Sequence, residues 1–328
     1  MKILVFSSSF YDEKYFSIAN KNYNFEISYF RFQLNESTVK HIKGYNVVCV
    51  FTNDICNSNV LNYLFKFNIK ILALRCAGFN NVDLKEANKL GIKVVRVPCY
   101  SPQSIAEYTL GLILCLTRNI LSTYNYTSSG NFNFKKIIGK DLSKSTIGII
   151  GFGNIGKCLA DILLSFKSKI LVYDPVLTKN IKSNDLEYVD LFTIYNKCDV
   201  ITLHCPLKED TYHMINSHAF DKMKKNVIII NTSRGGLINI KDAVRALENG
   251  KIGGLGIDVC EEEKFLHRKK IDLRKIFYLK KICNYKNVIY TNHQSFLTYD
   301  SFINISNITL KNIYLLSKNK YCKNIVLI

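Results

Sequence analysis

Ser145 to Pro175 reads STIGIIGFGNIGKCLADILLSFKSKILVYDP, and no other stretch restricts the fold as tightly. Thr146 to Ile150 is a short apolar run of strand composition, after which Gly151, Gly153 and Gly156 fall at the spacing G-x-G-x-x-G. Ile155, Leu159, Ile162, Leu163 and Phe166 then recur at helical intervals, and a second strand from Lys169 to Tyr173 ends in Asp174. Strand, tight turn, helix, strand and acid follow one another within about 30 residues, as dinucleotide binding requires. Gly151 permits the turn, Gly153 lets the main chain approach a pyrophosphate, and Gly156 lets the helix pack on the sheet. The amides where the helix opens, at Asn154 and Ile155, hold the phosphate charge. Asp174 takes the ribose hydroxyls. It would repel a 2'-phosphate, and Pro175, Val176 and Leu177 supply no cation, so NAD is favoured over NADP.

At 328 residues the chain exceeds one ordinary core, and a hydrophobic fraction of 48% allows ample burial. No window approaches the roughly 18 uninterrupted apolar residues of a membrane span, and the apolar run in MKILVFSSSFYDEKYF is too short for a leader. A cytoplasmic protein without membrane contact is expected. The eleven cysteines are odd in number, lack any C-x-x-C, and include Cys49, Cys115, Cys158 and Cys198 inside apolar runs, so they read as small buried hydrophobes in a reducing compartment. A net charge of +19 would attract nucleic acid, but the lysines are scattered and the densest run is His267 to Lys281. The charge reads as compositional bias, with no nucleic-acid partner expected.

Before the glycine loop, strands are expected at 3–6, 25–30, 47–51, 69–74 and 93–97 with helices between, which implies a parallel sheet covered on both faces. Ser101-Pro102 starts a helix to Arg118 that is nearly apolar all round and should be buried on several sides, between domains or subunits. Six further strands, at 146–150, 169–173, 199–203, 226–231, 252–257 and 287–290, complete a doubly wound domain. Leu297 to Ser317 is one more helix, too little for a domain, and must pack on something already built. Beyond the polar stretch Thr123 to Lys136 there is no low-complexity linker.

In doubly wound sheets the ligand lies beyond the carboxyl ends of the strands. Three strand ends carry chemistry: Asn231-Thr232-Ser233-Arg234-Gly235-Gly236, Asp258-Val259-Cys260-Glu261-Glu262-Glu263 and Thr291-Asn292-His293-Gln294. A cation, a carboxylate and a histidine together suit reduction of a 2-oxo acid. Arg234 would anchor the carboxylate and polarise the keto oxygen, His293 would donate the proton, and Glu263 would favour its protonated form. Each has a plainer reading: Arg234 as a structural ion pair, Glu263 as part of a solvated acidic run, and His204 as a rival acid at the end of another strand. His204, His213 and His218 fit no compact zinc spacing, so no metal is expected.

The chain resembles the D-2-hydroxyacid dehydrogenase family, and within it the NAD-dependent D-lactate dehydrogenases, essentially end to end. The resemblance is carried by LRCAGFNNVDL (74–84), KVVRVPCYSP (93–102), IAEYTLGLIL (105–114), GIIGFGNIG (148–156), YDP (173–175), DVITLHCPL (199–207), NTSRGGLI (231–238), LGIDVCEEE (255–263) and NHQSFLT (292–298). It implies two doubly wound parallel-sheet α/β domains: a flavodoxin-like catalytic domain of 1–100 plus 297–328, and a Rossmann NAD-binding domain of 101–296, with a cleft that closes on substrate. It assigns Arg234, Glu263 and His293 to catalysis and sets His204 beside the cofactor. It implies that Cys205, Pro206, Thr211, Thr232, Ser233 and Asp258 line the cofactor site, and that amides around Ala77, Gly78 and Phe79 bind the substrate carboxylate. Phe51, Tyr100 and Phe296 would bound a small side-chain pocket. The implied activity is reduction of pyruvate to D-lactate in fermentation by a homodimer or larger assembly. The alternatives are a reductase of glyoxylate, hydroxypyruvate or a branched 2-oxo acid, or a non-catalytic NAD-sensing corepressor on the same fold. Cys260 departs from the family pattern, where an aromatic residue is usual, and 264–286 is unusually basic.

Overall fold

Val47–Val50 and Ile71–Leu74 are four-residue apolar runs buried at every position, the condition of inner strands in a parallel sheet covered on both faces. In the computed structural model, which describes residues 1–133, 138–176, 185–266 and 272–327, such runs build two parallel sheets. The chain divides into one unit of Met1–Ser101 with Leu297–Ile328 and another of Pro102–Phe296.

The first unit holds β1 (Lys2–Val5), β2 (Glu26–Tyr29), β3 (Val47–Val50), β4 (Ile71–Leu74) and β5 (Lys93–Val95), in the order β2-β1-β3-β4-β5. That is the flavodoxin-like order, with its switch point between β1 and β3. Leu310, Ile313 and Leu316 of the helix Tyr299–Ser317 share one core cluster with Ile3, Val5, Phe16, Val47 and Ala73. Tyr15 also stacks on Phe302 of that helix at 5.6 Å.

A charge lies inside this unit. Arg75, directly after β4, is 2% exposed, pairs with Asp12 at 2.9 Å and lies over the Phe51 ring at 4.8 Å. Its partner also closes a capping box with Ser9 at the start of helix Phe10–Asn20, so one carboxylate caps a helix and neutralises a buried cation.

The second unit holds β6 (Thr146–Ile150), β7 (Lys169–Tyr173), β8 (Leu186–Tyr188), β9 (Val200–Leu203), β10 (Val227–Asn231), β11 (Ile252–Ile257) and β12 (Val288–Tyr290). Their order is β12-β11-β10-β9-β6-β7-β8, so the winding reverses at β6. Ile150 is in register with both Tyr173 and Leu203, which aligns the carboxyl ends around that switch point. β8 is a seventh strand beyond the six expected. Its three residues are too few to show a period of two.

The helix Pro102–Thr117 follows the Ser101-Pro102 start. It buries Ile105, Ala106, Thr109, Leu112 and Ile113, while Gln103, Glu107 and Gly111 stay exposed, so within one chain it is buried on one face. Gly254 and Gly256 of β11 make room for Leu112 and Leu116. The expected polar stretch 123–136 begins inside a helix, Ile120–Ser128, and its residues 134–136 lie outside the described ones, as do Leu177 and 267–271 of the basic run. Cys49 and Cys198 are buried, whereas Cys115 and Cys158 are half-buried. Burial lifts the thiols of Cys49, Cys198 and Cys260 to about 12. Among the described residues no helix is long and apolar enough to cross a membrane.

Removing one partner of a buried ion pair strands the other charge. Asp12→Ala should therefore destabilise the protein by about 3 kcal/mol or more in urea unfolding, and Asp12→Ala with Arg75→Met should recover much of the loss. Equal destabilisation of the single and double variants would show that packing, not charge, sets the cost.

Candidate active site

The nucleotide end is built by backbone. Gly151 leaves β6 at φ +94°, and a Cβ there would lie 2.5 Å from the Cys205 amide nitrogen, so only glycine lets the chain turn this close to the end of β9. Gly153 faces open space and is the N-cap of helix Asn154–Ser165, offering no side-chain acceptor of its own to that helix's first turn. Asp174 directly follows β7 and is braced against this loop: its Oδ2 accepts from Phe152 N at 2.7 Å and its Oδ1 from Val176 N at 2.9 Å. A carboxylate has about four acceptor positions, so two remain for the hydroxyls of a ribose. A turn free of side chains, a helix start and an acid held beside them fit an NAD without 2'-phosphate.

Around this loop Ser233 Oγ donates to Cys205 O at 2.7 Å, Thr211 Oγ1 to Pro206 O at 2.8 Å, and Thr232 Oγ1 lies 2.9 Å from Thr109 Oγ1. Burial raises the Cys205 thiol to about 11. His204 is half-buried with both ring nitrogens shielded from solvent, neither has a partner among the described residues, and burial lowers its pKa to about 4. It is neutral at physiological pH, which makes it a poor proton donor.

At the other end, three loops are drawn together. Asn231 donates to Arg234 O at 2.9 Å and accepts from Ser233 N at 3.0 Å, closing the turn after β10. Gly235 touches the next loop so closely that a Cβ would sit 2.2 Å from the Cys260 carbonyl carbon, which sets Arg234 against the turn Glu261–Phe265. Arg234 gives one N–H to Ser233 O at 2.8 Å and, among the described residues, forms no ion pair, against its plainer reading. Glu263 Oε2 accepts from Cys260 N at 3.1 Å and its Oε1 lies 3.0 Å from His293 Nδ1. With Nδ1 committed to a carboxylate, Nε2 is the ring position left for a reactant.

His293 sits at φ +62° beside Asn292 at φ +51°, two consecutive residues in the left-handed region. Asp258, fully buried after β11, holds them there. Its Oδ1 accepts from Thr291 Oγ1 at 2.6 Å and Gln294 N at 2.7 Å, its Oδ2 accepts from Ser295 N at 2.9 Å, and its carbonyl receives His293 N at 2.5 Å. Phe296 meets the His293 ring edge-on at 6.4 Å.

The model of the D-isomer specific 2-hydroxyacid dehydrogenase NAD-binding domain matches residues 110–295. The chain belongs to that family. It is 46% identical to a 2-hydroxyacid dehydrogenase homolog of Haemophilus influenzae, over 100% of this chain and 99% of the relative. To the D-lactate dehydrogenase of Escherichia coli it is 42% identical over 99% of both. The solved apo-structure of D-lactate dehydrogenase from Escherichia coli superposes with a TM-score of 0.88 at 41% identity, covering 100% of each chain. The chain is thus an NAD-dependent D-2-hydroxyacid dehydrogenase, with two parallel-sheet α/β domains.

The remaining residues singled out from the sequence lie in the first unit. Phe51 and Ala77–Phe79 follow the neighbouring strands β3 and β4, and Asn81 ties Phe51 O at 2.9 Å. Tyr100 is held through its carbonyl by Asn304 at 2.8 Å. Phe296, expected beside Phe51 and Tyr100, belongs to the second unit. Sequence reasoning passed over Arg75, whose signal was a cation inside the apolar run ILALRCA. It also passed over a second histidine–carboxylate contact, His213 Nε2 to Glu261 Oε2 at 3.0 Å, for which the sequence carries no signal.

His204 makes stability depend on pH. The unfolded ring takes its proton near 6.5 and the folded ring only near 4, so its contribution is complete above pH 6.5 and is lost as pH falls towards 4. The difference amounts to about 3 kcal/mol. Urea midpoints over that range should fall less steeply for His204→Leu than for the parent chain, and parallel slopes would place the proton uptake elsewhere.

Proposed function

We propose that this dehydrogenase reduces pyruvate to D-lactate, returning NAD+ to the cell, with Arg234, Glu263 and His293 as its catalytic residues. The observation that carries the reading is the 3.0 Å contact between His293 Nδ1 and Glu263 Oε1, beside an arginine that pairs with no carboxylate among the described residues. The relatives named as D-lactate dehydrogenases support the choice of substrate.

When bound, NADH supplies the hydride that goes to C2 of the 2-oxo acid. Arg234 meets the substrate carboxylate and keto oxygen with its planar fork of donors, which orients C2 and draws electron density towards oxygen. His293 Nε2 gives its proton to that oxygen as negative charge develops, so the hydroxyl forms without a free alkoxide. Glu263 stabilises the imidazolium before transfer and holds the ring through Nδ1. In the reverse direction the neutral ring takes the hydroxyl proton back.

The amides of Ala77, Gly78 and Phe79 are proposed to take the carboxylate, and Phe51, Tyr100 and Phe296 to limit the side chain to a methyl group. In this reading Met1–Ser101 with Leu297–Ile328 is the substrate domain, and Pro102–Phe296 carries the cofactor and the chemistry. A cytoplasmic homodimer fits: Ile120, Leu121 and Tyr124 are 48%, 42% and 65% exposed on a helix that buries no residue in its own chain.

NADH oxidation should be fastest with pyruvate among pyruvate, glyoxylate, hydroxypyruvate and 2-oxoisocaproate, and the product should be D-lactate. A preference for 2-oxoisocaproate would reject the small pocket. His293→Ala should lower kcat by about 100-fold or more while NADH binds as before. Normal turnover would remove His293 from the mechanism. Arg234→Ala should abolish both turnover and binding of oxamate to the NADH complex, and retained oxamate affinity would place the anchor elsewhere.

A further inference from the structure

Two consecutive peptide groups after β4 are pinned by their carbonyls. Arg96 Nη1 donates to Ala77 O at 2.7 Å, and Cys76 Sγ donates to Gly78 O at 3.2 Å. A peptide group is planar, so holding a carbonyl aims the amide of the next residue the opposite way. The two amides so directed are those of Gly78 and Phe79, and among the described residues neither has a protein acceptor. The Arg96 guanidinium also lies 5.1 Å from the centre of the Phe79 ring, a cation–π contact on the same turn.

Arg96 is itself held. Its N–H donates to Asn324 O at 3.1 Å, and its carbonyl accepts from Asn312 Nδ2 at 2.9 Å on the helix Tyr299–Ser317. Asn324 Nδ2 and Cys322 Sγ both donate to Asn312 Oδ1, at 2.9 and 3.4 Å. Val326 N donates to Val94 O at 2.9 Å, and Ile325 pairs antiparallel with Val95. The tail thereby lies along β5 and locks the main chain from which Arg96 reaches.

We infer that Arg96, braced by the tail 322–326, is a positioning residue for substrate: it aims the Gly78 amide and fixes the Phe79 ring. The inference rests on the proposed reading that the 77–79 turn takes the substrate carboxylate. Arg96 touches the turn and acts through it. A backbone anion site needs such support, because glycine at its centre leaves the chain free to turn the amide away.

Arg96→Met and Arg96→Lys in the full chain test it. Arg96→Met should raise KM for pyruvate and the Kd of oxamate in the NADH complex together by about tenfold, the equivalent of about 1.4 kcal/mol. The change in kcat should stay within about threefold, with the Kd of NADH unmoved, the pattern of lost binding rather than lost chemistry. Lysine keeps the charge and one donor but not the planar fork, so Arg96→Lys should fall between, at about threefold in KM. If Arg96→Met does not fold, Arg96→Lys decides. Unchanged KM and oxamate affinity in a folded variant would overturn the inference, as would an equal loss of NADH affinity, which marks a merely structural role. A parent chain that turns over no 2-oxo acid would overturn the proposed function itself. Normal parent turnover with indifferent Arg96 variants would overturn only this assignment.

Discussion

The buried carboxylate of Asp258 holds a turn that would not otherwise keep its shape. Asn292 and His293 both adopt left-handed backbone, a conformation that costs an ordinary residue about 1 kcal/mol or more. Three donors from the same turn converge on the two oxygens of Asp258, and the amide of His293 meets its carbonyl. Charge-assisted bonds inside a dry site are strong enough to offset that cost. The imidazole reaches Glu263 because this anchor sets the direction from which its side chain leaves the chain.

A second constraint acts on the same loops through contact rather than charge. Gly235 lies flush against the peptide joining Cys260 and Glu261, so the turn that presents Arg234 and the turn that presents Glu263 cannot shift independently. Any side chain at 235 would push the two apart. The departure at Cys260 is absorbed in this setting: its thiol is buried, and its amide still donates to Glu263.

What the sequence discloses and what it withholds follow from how local each feature is. The glycine loop and Asp174 act within one strand–helix–strand unit, so spacing alone reveals them, and the short unbroken apolar runs announce the parallel sheets. β8 is three residues long and leaves no periodic trace. Residue order alone does not separate His204 from His293, because they differ in surroundings: the ring nitrogens of one are shielded with no partner among the described residues, and the other ring meets a carboxylate. The family resemblance sets Asp258 beside the cofactor, but its bonds to Thr291, Gln294 and Ser295 join segments far apart in the chain, where residue order gives no sign of them. The helix Pro102–Thr117 looks apolar all round because its half-buried stripe and its core face are made of the same residue types.

The sulfur of this chain has a consequence for how it survives chemical stress. The thiols of Cys49, Cys198, Cys205 and Cys260 are buried and raised to between about 11 and 12, two of them within the loops that form the site. Only the thiolate attacks peroxides and electrophiles, and at neutral pH these positions hold almost none. Cys99 and Cys283, at the surface, are the sulfurs an oxidant meets first. Cys205 and Cys260, in the loops after β9 and β11, are in this way kept chemically quiet, with no disulfide among the described residues.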